Sequence, residues 1–436
     1  MSNQPSTIET AELRVGMFVH LDLGWMSHPF AVSSFRIADA AQIATIRSLG
    51  LARVRWSPEK SDGPVSAPMP LLPGKAEPPL DAGPDSLAAA LSPAPEHAGQ
   101  SDARAARRAA VELCQQQYAE AATGWRQAIE QTRTDPQGAG QRMDALSRAL
   151  VDKMIGAREV SIRVLAESAA DRASHALNVS VVSLLLGRLC GLAENDLQDL
   201  GVGALSHDIG KLDLPQRVQR LAADFNSAEL ARYREHVAHG VLQGKHMGLS
   251  PGALLVIAQH HELCDGSGFP LGHDANRISV AARVVALVNR YDNLCHPVRH
   301  AQAMTPHEAL QRLFTQGQRQ YDATLMSSFV RMMGVYPPGS VVQLTDDRYA
   351  LVDSVNSSRP LKPRVLAYDP RLSRDEAIAL DLEKEEALGI RRSLPSAQLP
   401  GAAREVLMPP PRMAWFFEAS QGANPQADSD DGETRH

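Results

Sequence analysis

The residues with chemistry in them are concentrated around His207-Asp208-Ile209-Gly210-Lys211. A neutral imidazole binds a borderline divalent cation, and a neighbouring carboxylate can bridge two of them. Lys211 follows His207 by four residues and Asp208 by three. On a helix that spacing puts the ammonium on the ligand face, where it can meet negative charge developing beside a metal. Further candidates flank the pair: His175 upstream, His236 and the doublet His260-His261 downstream. Each gap is about one helix with its turn, or a helix pair, so successive helices of a bundle could each supply an inward ligand. Buried structural histidines are the competing reading.

The intervening segments carry the periodicity such a bundle needs. Val179, Val182, Leu185, Leu186 and Leu189 recur at helical spacing, as do Ala282, Val285, Leu287 and Val288. After the histidine doublet comes Glu262-Leu263-Cys264-Asp265-Gly266-Ser267-Gly268-Phe269-Pro270, whose two glycines let the backbone turn sharply and come close to a ligand.

HDIGK followed by HHELCDGSGFP, with histidines before and between, resembles the HD-GYP family of bacterial cyclic-dinucleotide phosphodiesterases over about residues 165–340. Gly268-Phe269-Pro270 stands where the family carries its name-giving tripeptide; Phe for Tyr keeps the ring and loses a hydroxyl. The resemblance implies metal ligands at His175, His207, Asp208, His236, His260 and His261, and two or three divalent ions, Fe or Mn. Asp208 and Lys211 would be catalytic, and Asp265, Gly266, Gly268, Phe269 and Pro270 would form a substrate wall. The implied reaction is hydrolysis of cyclic di-GMP to linear pGpG, or on to GMP. His239 lies close to His236, but His236 stands four residues before Gly240, as the family's ligand does.

Two positions depart from the family pattern. Asn289, ahead of Tyr291-Asp292-Asn293, replaces an aspartate ligand with a neutral and weaker donor. Asp292, three residues on, shares its helix face and is an alternative ligand. Asp171 stands where three-ion members carry a glutamate, and reads either as a third-ion ligand or as a surface residue. A weakened site leaves open a module that binds cyclic dinucleotides or a protein with little turnover. A second rival is an HD phosphohydrolase acting on other nucleotides.

Composition narrows the rest. A net charge of −6 argues against a general nucleic-acid binder, which needs a basic field. No run approaches the ~18 apolar residues of a membrane span, and the first residues lack a basic-then-apolar leader. Cys114, Cys190, Cys264 and Cys295 are scattered without a CxxC, as in reduced cytoplasmic proteins.

The expected architecture is multidomain and mainly α. Residues 1–56 form a small α+β domain, resembling one of uncharacterised function often found ahead of HD-GYP domains. Residues 57–100 are a disordered Pro/Ala-rich linker, 101–164 a helical connector broken near Asp135-Pro136, 165–340 an all-helical HD-type core, 341–370 a β meander and 371–436 a largely disordered tail. Within that tail Trp415-Phe416-Phe417 is an apolar cluster suited to docking on the body. Thr305-Pro306-His307-Glu308 reads as a helix start, which accounts for His307. Cys264 reads as a loop thiol, and His246, His273, His296 and His300 as solvated. Expected partners are cyclic di-GMP, a protein docking on the N-terminal domain and a second copy through residues 101–170.

Overall fold

The structure, a computed structural model, describes residues 6–23, 28, 30, 34–61, 95–157, 159–166, 172–222, 224–356, 362–370, 377–385 and 387–420. The side chains of residues 95–106, 300, 419 and 420 lie outside the description. So do Asp171 and most of the segment expected as a linker. The chain divides into one unit of residues 1–24 and 32–109 and a second of residues 25–31 and 110–436.

In the first unit the strands β1 Ser6–Glu9, β2 Phe18–His20 and β3 Ser34–Arg36, the helix α1 Ala40–Ser48 and the strand β4 Arg53–Ser57 follow in that order. They form an antiparallel sheet ordered β1-β4-β2-β3, with Ile8 opposite Val54 and Val19 opposite Trp56. Asp39 caps α1 by accepting from the Gln42 amide, and Val19, Ile37, Ile46 and Val54 are buried. The expected α+β composition is present, and a short 3-10 turn over Pro58–Lys60 extends it into the stretch read as linker.

The helix α2 Pro95–Gln131 begins inside that same stretch, and α3 Pro136–Ile155 follows. The break between them falls where the sequence places it. Asp135 accepts from the Gly138 amide and Pro136 opens the new helix, where a missing N–H is harmless. From Cys114 onward the buried face of α2 (Tyr118, Ala121, Trp125) and that of α3 (Met143, Leu146, Leu150) belong to one apolar core. The Trp125 indole donates to the Leu205 carbonyl at 2.9 Å.

The site-bearing helices are α4 Arg172–Leu189, α5 Glu194–Ser206, α6 Ser227–Arg234, α7 His236–His246, α8 Pro251–Gln259, α9 Val280–Cys295, α10 Pro306–Gln316 and α11 Ala323–Met333. α4 is buried almost all round, which explains why its valines and leucines outnumber the positions a one-sided stripe needs. Between α5 and α6 a 3-10 segment, Ile209–Asp213, packs on α7. A Cβ on Gly210 would lie 2.0 Å from the His236 carbonyl oxygen, so only glycine permits this approach. Thr305 and Glu308 form the expected capping box of α10.

The C-terminal third corrects the sequence reading most. The expected meander strands β6 Val341–Leu344, β7 Tyr349–Asn356 and β8 Arg364–Ala367 are present. They do not stand alone. β5 Glu159–Ala166, read as the end of a helical connector, joins them, as do β9 Ile378–Asp381, β10 Ile390–Leu394 and β11 Met413–Ser420 from the segment read as tail. A short helix, α12 Gly401–Leu407, precedes β11. Among the described residues this antiparallel sheet runs β10-β6-β7-β5-β11, with β8 also on β7 and β9 on β8. β11 pairs with β5 along its whole length, from Met413 opposite Ala166 to Ser420 opposite Glu159. Trp415, Phe416 and Phe417 are almost fully buried, so the apolar cluster does dock on the body. Arg163 on β5, also buried, reaches Asp353 on β7 at 2.6 Å and Glu418 on β11. Such a buried charge is tolerable because both its partners come with it.

Candidate metal centre

The helix ends deliver the expected ligands to one place. His175 lies in the first turn of α4, His207 and Asp208 just beyond α5, His236 at the start of α7, and His260 and His261 just beyond α8. Ligand atoms of Asp208, His236, His260 and His261 lie within 4.8 Å of one another, as do those of His175, His207 and Asp208. Asp208 is common to both groups. His239 is in neither; it is more exposed and faces Glu235 at 3.7 Å.

The hydrogen bonds fix which nitrogen of each ring faces inward. The Nδ1 atoms of His207, His236 and His260 donate to the carbonyls of Ala204 (2.7 Å), Tyr233 (2.6 Å) and Ile257 (2.8 Å). Each Nε2 therefore keeps a lone pair directed at the centre. The lone pairs of His236 and His260 face one another, their Nε2 atoms 3.3 Å apart, and His175 Nε2 lies 3.2 Å from His207 Nε2. Asp208 Oδ1 and His261 Nε2 are buried with no hydrogen-bond partner among the described residues. Facing acceptors and orphaned buried acceptors are costly without a cation. The donor set, imidazole nitrogens with one shared carboxylate, suits divalent transition ions.

Burial holds His207 and His236 down at about 4, and His260 and His261 well below the ordinary histidine range. All four imidazoles are thus neutral at pH 7, the form a ligand needs. Burial opposes charge on His175 as well, but hydrogen bonds to Asp208 and Asp292 outweigh it and raise this imidazole to about 9. Burial alone would raise the Asp208 carboxyl; Lys211 and the histidines hold it well below the usual range. Lys211 Nζ donates to Asp208 Oδ2 at 2.6 Å and lies over the Tyr233 ring, 5.2 Å from its centroid.

The two residues weighed as extra ligands have other partners. Asp292 accepts from His175 Nδ1 at 2.6 Å, Asn178 Nδ2 at 2.9 Å and His296 Nδ1 at 2.9 Å. Both its oxygens are engaged, so it orients His175 from behind instead of facing the centre. Asn289 is buried and lines the cavity, and its Oδ1 accepts from Asn293 Nδ2 at 2.6 Å. His296 is not solvated as expected: it bridges Asp292 and β11, its Nε2 accepting from the Met413 amide at 3.2 Å.

These residues open into a cavity of about 860 Å³. From the glycine-rich loop its described lining includes Ser267, Gly268 and Phe269, but not Asp265, Gly266 or Pro270. Asp265 instead shapes the loop, accepting from the Ser267 amide (3.0 Å) and hydroxyl (2.6 Å). A Cβ on Gly268 would strike the backbone of His261, Glu262 and Leu263 at 2.4–2.6 Å, so the loop can fold against the histidine doublet only with glycine there. Phe269 then stacks on His261 with centroids 4.4 Å apart. Buried Glu262 holds the far side of the loop, accepting from the amides of Leu271 (2.7 Å) and His273 (2.9 Å). Cys264 is in neither ligand group.

Sequence reading missed Tyr233, Asn178 and the arginines of the cavity wall. Tyr233 had a signal, its place three residues before His236. Asn178 had one too, as a polar residue on an otherwise apolar helix.

Residues 159–325 match the family described as HD domain, and residues 6–142 match a domain of unknown function (DUF3391). The second match runs well past the 1–56 boundary expected from sequence. The chain carries an HD domain with that uncharacterised domain ahead of it, and resembles the HD-GYP family. It is 26% identical, over 83% of its length and 84% of the relative's, to a protein of Pseudomonas aeruginosa named cyclic di-GMP phosphodiesterase. It is 28% identical to a cyclic di-GMP phosphodiesterase response regulator of Xanthomonas campestris, over 35% of this chain and 41% of that one. A 3'3'-cGAMP-specific phosphodiesterase of Vibrio cholerae is 26% identical over 35% of this chain and 30% of that one. The solved structure of an HD-GYP-type protein from Bdellovibrio bacteriovorus gives a TM-score of 0.39 at 13% identity, covering 75% of this chain and 98% of that one. Among the described residues no helix is long and apolar enough to cross a membrane.

Proposed function

We propose that the protein is a metal-dependent phosphodiesterase that hydrolyses cyclic di-GMP to linear pGpG. The observation that carries this reading is the convergence of five histidines and Asp208, with inward lone pairs and orphaned acceptors, on one cavity walled by arginines. The names of the relatives point to the same substrate class.

Two divalent ions would be held by Asp208, His236, His260 and His261 on one side and by His175, His207 and Asp208 on the other. When bound they would supply Lewis acidity toward a phosphoryl oxygen and a more acidic water. The chain's own residues do the rest. The carbonyls of Ala204, Tyr233 and Ile257 keep three imidazoles in the ligating tautomer, and Asp292 does so for His175. Lys211 holds a positive charge beside Asp208, placed to offset charge building on the phosphoryl oxygens. Phe269, stacked on His261, closes one wall against water. Hydrolysis breaks one P–O3′ bond, leaves that phosphate on the 5′ side and frees a 3′-hydroxyl.

One observation favours slow turnover: the Asn289 oxygen is neutral and already taken by Asn293, leaving the His175 side with a single carboxylate. Product analysis of cyclic di-GMP with Mn- or Fe-loaded protein tests both readings. Turnover that disappears in His207→Ala/Asp208→Ala supports the phosphodiesterase. Turnover only after Asn289→Asp supports a binding module. Hydrolysis of other nucleotides, but not of cyclic di-GMP, removes the substrate assignment.

A further inference from the structure

A cyclic dinucleotide carries two phosphates in one ring. An ion centre can engage the one being cleaved; the other enters the same cavity as a second anion and needs its own counter-charge. The protein as a whole does not provide it, at a net charge of −6. The cations lining the cavity must.

Several of these cations are already committed. Lys211 donates to Asp208 at 2.6 Å, Arg299 to Asp224 at 3.2 Å, Arg312 to Gln316 at 3.0 Å, and Arg172 to Gln219. Arg290 and Arg412 line the cavity with no hydrogen-bond or ion-pair partner among the described residues. They differ in how they are held. Arg290 is exposed on α9, whereas Arg412 is half-buried, immediately before β11. The backbone beside Arg412 is tied down twice. The Met413 amide donates to His296 Nε2 at 3.2 Å, and the Met413 carbonyl accepts from Asn178 Nδ2 at 3.1 Å. Asn178 Oδ1 in turn accepts from the Trp415 amide at 2.9 Å. Asn178 and His296 both hydrogen-bond Asp292, the carboxylate that orients His175. Arg412 therefore stands on the same rigid frame that positions one side of the ion centre, although it lies outside the 159–325 match.

We propose that Arg412 is a substrate-binding residue that takes the non-scissile phosphate of the cyclic dinucleotide through its guanidinium. The inference rests on the phosphodiesterase reading above. A planar guanidinium binds a phosphate through two parallel N–H···O bonds, and a partnerless one fixed by its backbone gives up little freedom in doing so. The residue is a second anchor, and sets how the ring lies relative to the ions.

The test is steady-state kinetics on Mn-loaded full-length protein, comparing Arg412→Ala and Arg412→Lys with wild type. The two substrates are cyclic di-GMP and bis(p-nitrophenyl) phosphate, which has only one phosphate. Binding of fluorescently labelled cyclic di-GMP and bound-metal analysis run alongside. Losing a charge-assisted phosphate contact weakens binding by about tenfold to a hundredfold. Arg412→Ala should therefore raise KM or Kd for cyclic di-GMP by that factor. The bound metal and the model-substrate rate should stay unchanged, and Arg412→Lys should recover part of the loss. Unaltered cyclic di-GMP binding overturns the proposal. So does a parallel fall with both substrates accompanied by metal loss, which would make the segment a brace only. Wild type that cleaves the model substrate but neither binds nor cleaves cyclic di-GMP overturns the phosphodiesterase reading itself. Wild type inert toward both overturns the two together.

Discussion

Asp292→Asn separates an orienting carboxylate from a ligating one. Asp292 receives three N–H donors, from His175, Asn178 and His296, at 2.6, 2.9 and 2.9 Å. An amide of the same shape offers one oxygen where the carboxylate offers two, and turns an NH2 group toward at least one of those donors. One buried donor left unsatisfied costs about 1–3 kcal/mol, so the metal-free protein should lose roughly that much stability. His175 also loses the acceptor that holds its proton on Nδ1. Removing such an outer partner lowers metal affinity about 10–100-fold, or about 1.4–2.7 kcal/mol. The assay is competitive titration of Mn²⁺ against a chelator, with the number of bound ions counted separately. The expected result is a weaker ion on the His175 side with the ion count restored at high Mn²⁺. Affinity equal to wild type refutes the orienting role. An ion missing even at saturation shows that Asp292 is itself a ligand.

Other expectations follow from named contacts. Asn289→Asp with Asn293→Ala frees and charges the missing ligand, and should tighten the weaker ion by about 1.5–3 kcal/mol in the same titration. Gly210→Ala drives a methyl to 2.0 Å from the His236 carbonyl oxygen and should cost about 1–3 kcal/mol in denaturant unfolding, with weaker metal binding. Trp415→Ala removes a fully buried ring that sits 5.2 Å from Tyr291 and donates to the Pro338 carbonyl; a loss of about 3–5 kcal/mol is expected by the same measurement. Burial lowers the Lys153 amine from 10.5 to about 8. Between those values the unfolded chain binds more protons, so Lys153 should add stability as pH rises from 8 to 10.5 and lose it as pH falls. Unfolding midpoints across that range, compared with Lys153→Met, check the sign.

The helical half of this molecule was legible because its signals are local. Thr305 and Asp135 mark helix starts by their own side chains, and the spacing of His175, His207, His236 and His260 matches the helices between them. The first unit also combines strands and a helix, as expected of residues 1–56. What escaped reading depends on pairing across long stretches. Glu159–Ala166 was taken as more of the preceding helix although Gly156 caps that helix; its partner strand lies some 250 residues on, a separation no local pattern encodes. Ile378–Asp381 and Ile390–Leu394 are short strands flanked by charged residues, and their apolar positions are too few for alternation to stand out. The role of Asp292 was out of reach for a related reason. Helix spacing places it beside Asn289, but only the arrival of His296, Asn178 and β11 shows which way its oxygens are employed.

The pairing of β11 with β5 bears on when the protein matures during synthesis. A chain emerging from the ribosome can build α4 to α11, and with them every histidine of the centre, before residue 413 exists. Asp292, Asn178 and His296 then lack the strand that locks them, and a long loop must close before it arrives. Locking of that frame thus waits on the synthesis of Met413–Ser420. A nascent or clipped chain stopping short of Met413 is expected to bind metal loosely, because the strand that holds Asn178 and His296 against Asp292 is absent.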